Sequence, residues 1–416
     1  MLRISTPSFF ARGLNAILDQ QSALSQTQLQ LATQKRVLTP SDDPVSATLI
    51  EAFKADLATQ ERYKQNGKTA QGYNEQSDGI LDSITTTLAR IRELILLAGN
   101  GSYGPLQRKA LADEAQERLA EVVGVANSQN AEGEFLFAGF RTDVKPFTQN
   151  PDGTFAYQGD AGQRNIFVSN DIAVGVTHSG FDVFVAVKEG NGDFATAGAA
   201  TNVGSGIIDP GSVADRAAFN AAPPQVYTIS MVTNSAGVLA YNVFGSVDGQ
   251  LIPALPLNSV LDAPPFVAGG AVLFNGIQTG FIGTPVAGDS FTVSNSASKN
   301  LLDTVRDAIA AIRLGPTNDA SGAQSRMALD YTLESLDRGL ENIGRVRAEL
   351  GARLNVIDSE LAAIEANKVS TKTTLSSLED LEVVEAISRF NLQQIALEAA
   401  QSSFARVQNL SLFRFL

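Results

Sequence analysis

The 416-residue sequence has no cysteine, and it contains a single histidine. Without cysteine the chain can form no disulfide bond, no thiol nucleophile and no thiolate metal site, and it can change compartments without redox chemistry. Long hydrophobic runs are also missing, since the run at 94–98 is typical of those present and a membrane-spanning helix needs about 20 apolar residues. We therefore expect no membrane insertion.

The N-terminus does not look like a secretory signal. Arg12 interrupts the apolar stretch at 9–18, and no small-residue cleavage site follows it. If the protein leaves the cell, the sequence predicts a route that needs no cleaved peptide.

Negative charge is concentrated in the middle of the chain. The net charge is −13, and residues 151–297 hold eleven Asp and Glu side chains against Arg164, Lys188 and Arg216. An acidic surface repels phosphate backbones, so we expect no nucleic-acid partner.

Residues that could carry catalysis are scarce. His178 stands alone in a strand-like stretch with no second ligand in the pattern, which favours a surface or turn position over a metal site or a catalytic triad. The glycine turns at 190–193 and 204–206 lack the third glycine and the strand-to-helix context of a phosphate loop. We predict that the protein is not an enzyme and has no catalytic, cofactor-binding or metal-binding residues.

The two ends of the chain each carry an apolar stripe with a seven-residue repeat. The N-terminal stripe comprises Leu14, Ile17, Gln21, Leu24, Gln28 and Leu31, and the C-terminal stripe comprises Val383, Ile387, Phe390, Gln394, Leu397, Gln401 and Phe404. This spacing predicts helices with one coiled-coil face each. Such stripes are common in ordinary cores. Their position at both chain ends, with glutamines that specify partner and register at a cost in stability, favours a reversible assembly interface.

Proline and glycine divide the rest of the N-terminal half. The sequence Pro40, Ser41, Asp42, Asp43, Pro44 breaks the first helix and predicts the start of the next, with Asp43 as N-cap and Pro44 as the first helical residue. Helices are then expected at 44–98 and 106–127. Near residue 301 the helical pattern returns. Residues 352–416 contain neither glycine nor proline, so an unbroken helix there would reach about 97 Å.

Between the helical halves the apolar pattern alternates, and residues 151–297 hold 20 of the 35 glycines. Strands are expected at 165–169, 174–177, 183–187, 226–232, 239–244, 271–274 and 290–293, with a hairpin turn at Asp152-Gly153. Residues 190–224 read as a long loop or a link between two small β units. The predicted fold is mainly α with an inserted β domain, an α+β fold with long terminal helices forming coiled-coil layers and a central antiparallel β-rich domain. The predicted segments are 1–42 and 375–416 for the assembly helices, 43–147 and 299–374 for the two helical halves, and 148–298 for the β domain.

Several stretches resemble the flagellin-like axial proteins of the bacterial flagellum. Residues 36–47 are similar to the motif after the first helix of that family, and residues 133–139 with 145–147 are similar to its passage from helices to an outer β domain. Residues 283–291 resemble the strand that leads back to the helices. The C-terminal residues 396–401 and 410–416 match most closely, and on this basis Leu412, Phe415 and Leu416 join the expected assembly interface.

The resemblance implies a secreted structural subunit of an extracellular organelle, exported unfolded through the flagellar type III apparatus. It implies a ring between hook and filament, with these partners: further copies of itself, the neighbouring hook-associated junction protein, flagellin, and an export chaperone on the C-terminal helix. We expect the terminal segments, about 1–40 and 375–416, to fold only on assembly, because ordering them costs more than their few apolar side chains return. The alternatives are a flagellin, or an oligomeric module whose β segment binds a surface ligand.

Overall fold

The structure, a computed structural model, describes residues 6–101, 103–315 and 318–412. The chain forms two compact units. The first comprises Met1–Gly67, Val168–Asn170 and Asp358–Leu416, and the second comprises Lys68–Phe167 and Asp171–Ile357. Both units are discontinuous in sequence, because the chain leaves the first unit and returns to it at the C-terminal end.

Helices dominate both ends of the chain, as predicted. They are α1 (Thr6–Thr33), α2 (Pro44–Ala98), α3 (Pro105–Ala126), α4 (Arg216–Ala221), α5 (Leu301–Arg313), α6 (Asp319–Glu379) and α7 (Val383–Leu412). Helices α2 and α6 each contribute residues to both units. Within the described ranges, none of the helices combines the length and apolarity that crossing a bilayer requires.

The strands are short and antiparallel, which confirms the expected α+β fold. They are β1 (Phe147–Gln149), β2 (Phe155–Tyr157), β3 (Asn165–Phe167), β4 (Ala173–Gly175), β5 (Val187–Lys188), β6 (Phe194–Gly198), β7 (Ile207–Ile208), β8 (Ser212–Val213), β9 (Val226–Thr233), β10 (Leu239–Gly245), β11 (Gly249–Ile252), β12 (Ala271–Phe274), β13 (Ile277–Ile282), β14 (Ser290–Asn295) and β15 (Ser298–Lys299). One sheet has the order β11-β10-β9-β14-β6, and a second has the order β12-β13-β7 with β8 also paired to β13. The pairs β1-β2, β3-β4 and β15-β5 form separate ladders.

The main core of the second unit is built by four helices. Side chains from α2, α3, α5 and α6 form one buried apolar cluster together with Phe137, Phe147 and Phe184. The apolar stripe of α5, namely Leu302, Val305, Ile309 and Ile312, is fully buried in it. Ion pairs from Arg92 to Asp337 and from Arg347 to Asp78 join α2 to α6 beside this cluster.

A second core lies within the β domain. Tyr227, Ile229 and Met231 of β9 are buried while the residues between them are less so, which is the alternation expected of a strand with one covered face. Side chains from both larger sheets belong to this cluster, and α6 contributes Met327 to it.

The prediction of a strand at 183–187 is wrong. Residues Phe181–Val185 form a single π-helical turn, in which the Ala186 amide donates to the Phe181 carbonyl at 2.9 Å. Val183 and Phe184 are adjacent and both buried, whereas a half-buried strand would turn one of them outward. Phe184 packs edge-on against Phe137 and Phe147, with ring centroids 5.7 and 5.2 Å away. Aromatic packing therefore overrides the local preference for strand.

The prediction of a long loop at 190–224 is also wrong in part. This stretch contains β6, β7, β8 and the short helix α4, whose N-cap Asp215 accepts hydrogen bonds from the amides of Ala217 and Ala218. Its strands are two to five residues long and pair with β13 and β14, which are distant in sequence. Local periodicity cannot reveal strands this short.

The unbroken helix considered for residues 352–416 is interrupted at 380–382, between α6 and α7. The Arg36 amide donates to the Glu379 carbonyl at 2.7 Å, and the Leu381 amide donates to the Gln34 carbonyl at 3.0 Å. These bonds from a distant segment take the place of helical ones. The break is thus a tertiary effect that needs neither glycine nor proline.

Glu334 of α6 occupies an unusual environment in the second unit. It lines a cavity of about 390 Å³ whose other residues include Asp209, Ser212 and Gln278. Burial raises the pKa of Glu334 to about 7, and the charge of Arg338 opposes this shift. Between pH 4.5 and 7 the folded chain thus holds a proton that the unfolded chain releases, so the stability contributed by protonation is lost as pH rises through 7.

We expect Glu334→Gln to raise the free energy of unfolding at pH 8 by about 2 kcal/mol, because the variant no longer buries a carboxylate. At pH 4, where the carboxyl is protonated in both the folded and the unfolded chain, the variant and the wild type should be nearly equally stable. Urea unfolding followed by circular dichroism at both pH values measures the difference. The matched control is Glu117→Gln at an exposed position of α3, and an equal gain at pH 4 and pH 8 would contradict the assignment.

Candidate assembly surface

Helices α1 and α7 pack against each other in antiparallel directions. The ring of Phe10 meets that of Phe404 edge-on at 6.0 Å, and further along α1 the Gln20 side-chain amide donates to the Gln393 carbonyl at 3.3 Å. Residue numbers therefore rise along one helix while they fall along the other. The two terminal helices of one chain therefore pack against each other.

The contact face follows a seven-residue repeat on both helices. On α1 it comprises Phe10, Gly13, Ile17, Gln20, Leu24, Thr27 and Leu31, and on α7 it comprises Ala386, Phe390, Gln393, Leu397, Ala400 and Phe404. We call these residues the α1–α7 seam. All of them are buried or half-buried, and the 3,4 spacing is that of a coiled-coil face.

The predicted stripes coincide with the seam at every second position. Ile17, Leu24 and Leu31 lie on it, and so do Phe390, Leu397 and Phe404. The alternate positions lie outside the seam, because Leu14 is 50% exposed, Val383 42% and Ile387 48%. Their place in the assembly interface stays a prediction.

Small residues explain this difference in register. A Cβ atom at Gly13 would lie 3.0 Å from the Phe404 ring, so glycine permits the close approach of this aromatic side chain. Thr27 and Ala400 are further small seam residues. A stripe drawn through the largest apolar residues misses a face in which bulky side chains of one helix meet small ones of the other.

The residues outside the seam form a second apolar stripe that remains uncovered. On α1 these are Leu14, Leu18 and Leu29, each at least 50% exposed, and on α7 they are Val383, Val384, Ile387, Leu392 and Ile395. We call them the outer stripe. Arg12 and Asp19 are the only charged residues of α1. Leu18 and Leu29 also line a groove of about 600 Å³ with the polar side chains Gln21, Ser25 and Asp42.

Five members of the outer stripe were missed from the sequence: Leu18, Leu29, Val384, Leu392 and Ile395. The spacing of Leu14, Leu18 and Leu29 with Gln21 and Ser25 between them was a usable signal, since these positions share one helix face. An uncharged helix face with large exposed apolar side chains is typical of an interaction surface.

The predicted helix start is confirmed in detail. The Asp43 carboxylate accepts a hydrogen bond from the Ser46 amide at 3.0 Å, and Pro44 is the first residue of α2. This cap satisfies an amide at the helix end that has no partner within the helix. Pro40 and Ser41 form the turn before it, in which the Ser41 hydroxyl lies 2.7 Å from that of Thr39.

Asp42 has a role that the capping pattern did not suggest. One carboxylate oxygen accepts hydrogen bonds from the amides of Thr39 and Leu38, and the other accepts one from the Gln26 side chain of α1 at 2.7 Å. These backbone amides lower the pKa of Asp42. Asp42 therefore holds the connecting turn against α1, while Asp43 starts α2.

Arg36 and Glu379 complete the connection to α6. The Arg36 guanidinium donates to the Leu378 carbonyl at 2.9 Å and to the Ser46 hydroxyl at 3.1 Å. Glu379 is 9% exposed and forms ion pairs with Lys35 and Lys54, of which the hydrogen bond from Lys35 lowers its pKa most. Residues of this turn and of α2, with Thr33 and Glu379, line an open groove of about 830 Å³.

The last predicted interface residues cannot be placed on this surface. Leu412 ends α7, and Phe415 and Leu416 lie outside the described residues. Their inclusion in the assembly interface stays a prediction.

The residues considered for chemistry lie apart from this surface. His178 is 6% exposed in the second unit, so a surface position is wrong; it lies in the buried stretch between β4 and the π-helical turn. Across the described ranges, no three or more histidine or carboxylate side chains are grouped so that they could hold a metal ion. Asp42 and Asp43 are committed to the turn and the cap.

Comparison with known proteins agrees with this architecture. The bacterial flagellin N-terminal helical region matches residues 4–142, and the bacterial flagellin C-terminal helical region matches residues 333–416. The chain is 24% identical to flagellar hook-associated protein 3 of Salmonella typhimurium over 418 residues, 99% of each chain. Its similarity to a phase 1 flagellin of Salmonella naestved, 27% identity, covers only 31% of this chain.

A solved structure extends the match to the fold. The crystal structure of flagellar hook-associated protein 3 from Legionella pneumophila has a TM-score of 0.76 and 32% sequence identity, and the alignment covers 79% of this chain and 98% of that one. The chain therefore belongs to the flagellar hook-associated protein 3 family, whose members are structural proteins of the bacterial flagellum.

Proposed function

We propose that the protein forms the ring that joins the flagellar hook to the filament. The observation that carries this proposal is the outer stripe, a set of large exposed apolar side chains on the two helices at the chain ends. Covering Leu14, Leu18 and Ile387 with neighbouring subunits would remove their apolar area from water, which favours association. The β domain supplies an acidic exterior, and no enzymatic activity is part of the proposed role.

Two alternatives fit the observations less well. The flagellin similarity covers about a third of the chain, whereas the similarity to hook-associated protein 3 covers 99% of it. A surface-binding module would need a ligand site in residues 151–297. The 390 Å³ cavity is lined by Asp209 of that segment and by Glu334 of α6, and the similarity that spans the whole chain is to a flagellar structural protein.

The proposed partners follow from the same surface. Further copies of the chain, the neighbouring hook-associated junction protein and flagellin would pack their own terminal helices against the outer stripe, in the helix-in-groove manner of amphipathic helices. An export chaperone would cover the apolar face of α7 before assembly. Export as an extended chain, through the type III apparatus and without a cleaved signal peptide, completes the proposal.

Folding of the terminal helices on assembly is supported by how little they bury. No apolar side chain that the structure describes in α1 is fully buried, and in α7 only Ala386 is. The fully buried residues of α1 are the polar Thr27 and Gln30. Helical stability in proteins comes mostly from packing an apolar face. One partner helix that leaves the seam half-exposed supplies little of it, and the remaining contacts must come from other subunits.

The junction role predicts a single location on intact flagella. Immunogold electron microscopy with antibody against residues 151–297 should label only the boundary between hook and filament. Antibody against flagellin serves as the control and should label the filament alone. Label along the whole filament would instead make the protein a filament subunit, and absence of label from flagella would favour the binding-module alternative.

Folding on assembly predicts weak amide protection at both chain ends of the free monomer. In hydrogen exchange, residues 8–33 and 383–406 should exchange at nearly unfolded rates, because opening them exposes almost no buried apolar surface. Helices α3 and α5, which belong to the main core, provide the internal control and should be strongly protected. Comparable protection of α1 and α5 would refute the idea.

The chaperone proposal is tested with two substitutions on opposite sides of α7. Leu397 lies on the seam, whereas Ile395 is 64% exposed on the outer stripe. We expect Leu397→Asp to weaken chaperone binding by about 100-fold or more, because it buries an unpaired carboxylate in an apolar groove. Ile395→Asp should change the affinity by less than about threefold if that side stays in water.

Isothermal titration of the full chain with the export chaperone of the same bacterium measures both affinities. Unchanged binding by Leu397→Asp would show that the chaperone does not use the seam. A larger loss with Ile395→Asp would move the chaperone site to the outer stripe.

A further inference from the structure

A small polar pocket in the second unit lies far from the terminal helices in sequence. Gln163, His178 and Ser179 line one side of it, and Arg345, Glu349 and Arg353 of α6 line the other. Its volume is about 270 Å³. We call it the His178 pocket.

Two nitrogens at this pocket have no hydrogen-bond partner although they are buried. They are Nε2 of His178 and Nη1 of Arg353. The histidine is 6% exposed and lines the pocket. A guanidinium nitrogen can only donate, and an imidazole nitrogen donates when it carries a proton. Buried polar groups in folded proteins are rarely left unpaired.

The nearby carboxylates do not satisfy the cation of Arg353. Glu349 is engaged by Arg345, whose Nη1 donates to it at 2.5 Å, and its other oxygen lies 4.0 Å from Arg353 Nη2, too far for a hydrogen bond. Asp182 is exposed at the rim. Burial lowers the pKa of Arg353, which is the sign of a cation that lacks compensation.

The electrostatics of the pocket favour an incoming negative charge. Burial and the positive charges of Arg353 and Arg345 lower the pKa of His178 to about 4, so the imidazole is neutral at pH 7. An anion between His178 and Arg353 would reverse part of that effect. A volume of 270 Å³ equals about nine waters, enough for one phosphate or carboxylate group and its remaining hydration.

We propose that the His178 pocket binds a small oxyanion, of the phosphate or carboxylate type, through Arg353 Nη1 and His178 Nε2 as hydrogen-bond donors. Arg345 contributes charge at the mouth of the pocket while it remains paired with Glu349. No bond is made or broken in this binding, and the proton on Nε2 is retained by the imidazole.

Because His178 is the only histidine, its imidazole gives a single, unambiguous NMR signal. The full chain, labelled with ¹³C at histidine Cε1, is titrated with pH in chloride alone and with chloride replaced by tens of millimolar phosphate or acetate at constant ionic strength. We expect the pKa of His178 to rise by about one to three units with the bound anion, as for an opposite charge within hydrogen-bonding distance. A larger rise with phosphate than with acetate assigns the phosphate type, and the reverse assigns the carboxylate type.

The variant Arg353→Gln should weaken the anion response at least tenfold, because the unpaired guanidinium is its main donor. Arg118→Gln, which removes an exposed arginine paired with Glu121, is the matched control and should respond as the wild type does. A His178 signal that neither anion moves would overturn the proposal and indicate a pocket filled by water. An equal response in Arg353→Gln would overturn it too, and the wild-type titration decides even if that variant is unstable.

Discussion

Two backbone hydrogen bonds between distant segments determine how the ends of this chain are arranged. Arg36 donates to Glu379 and Leu381 donates to Gln34, so the turn after α1 is joined to the break between α6 and α7. These two hydrogen bonds end α6. They also fix where α7 begins its antiparallel course along α1. The ion pairs of Glu379 and the contacts of Arg36 and Asp42 surround this join. Polar bonding therefore fixes the turn from which the terminal helices run, and the seam packs them against each other.

Burial is distributed in the opposite way in the second unit. Four helices enclose a continuous apolar core, and the β domain has a core of its own. The second unit is well packed, whereas the terminal helices α1 and α7 bury few apolar side chains. This distribution suits a subunit whose terminal helices complete their packing against neighbouring subunits. Gly67 illustrates how closely the long helices can approach in the first unit, since a Cβ atom there would lie 2.8 Å from Leu361.

Long helices and their starts were predictable from the sequence, because capping residues and apolar periodicity act locally. The start of α2 at Pro44 and the return of helix at Leu301 are examples. The seam was predicted only at alternate positions, since its register depends on Gly13 facing Phe404 across two distant segments. The break at 380–382, the π-helical turn at Phe181–Val185 and the short strands within 190–224 also arise from long-range contacts. The predicted positions of Phe415 and Leu416 lie beyond what the structure describes.

The scarcity of charge on α1 has a consequence for the environment in which the flagellum works. Between Thr6 and Thr33 only Arg12 and Asp19 are charged, so contacts made by this helix depend mainly on excluding water from leucine side chains. Dissolved salt screens charge pairs but leaves such contacts nearly unaffected. A joint built on this surface would hold equally well in fresh and in saline surroundings.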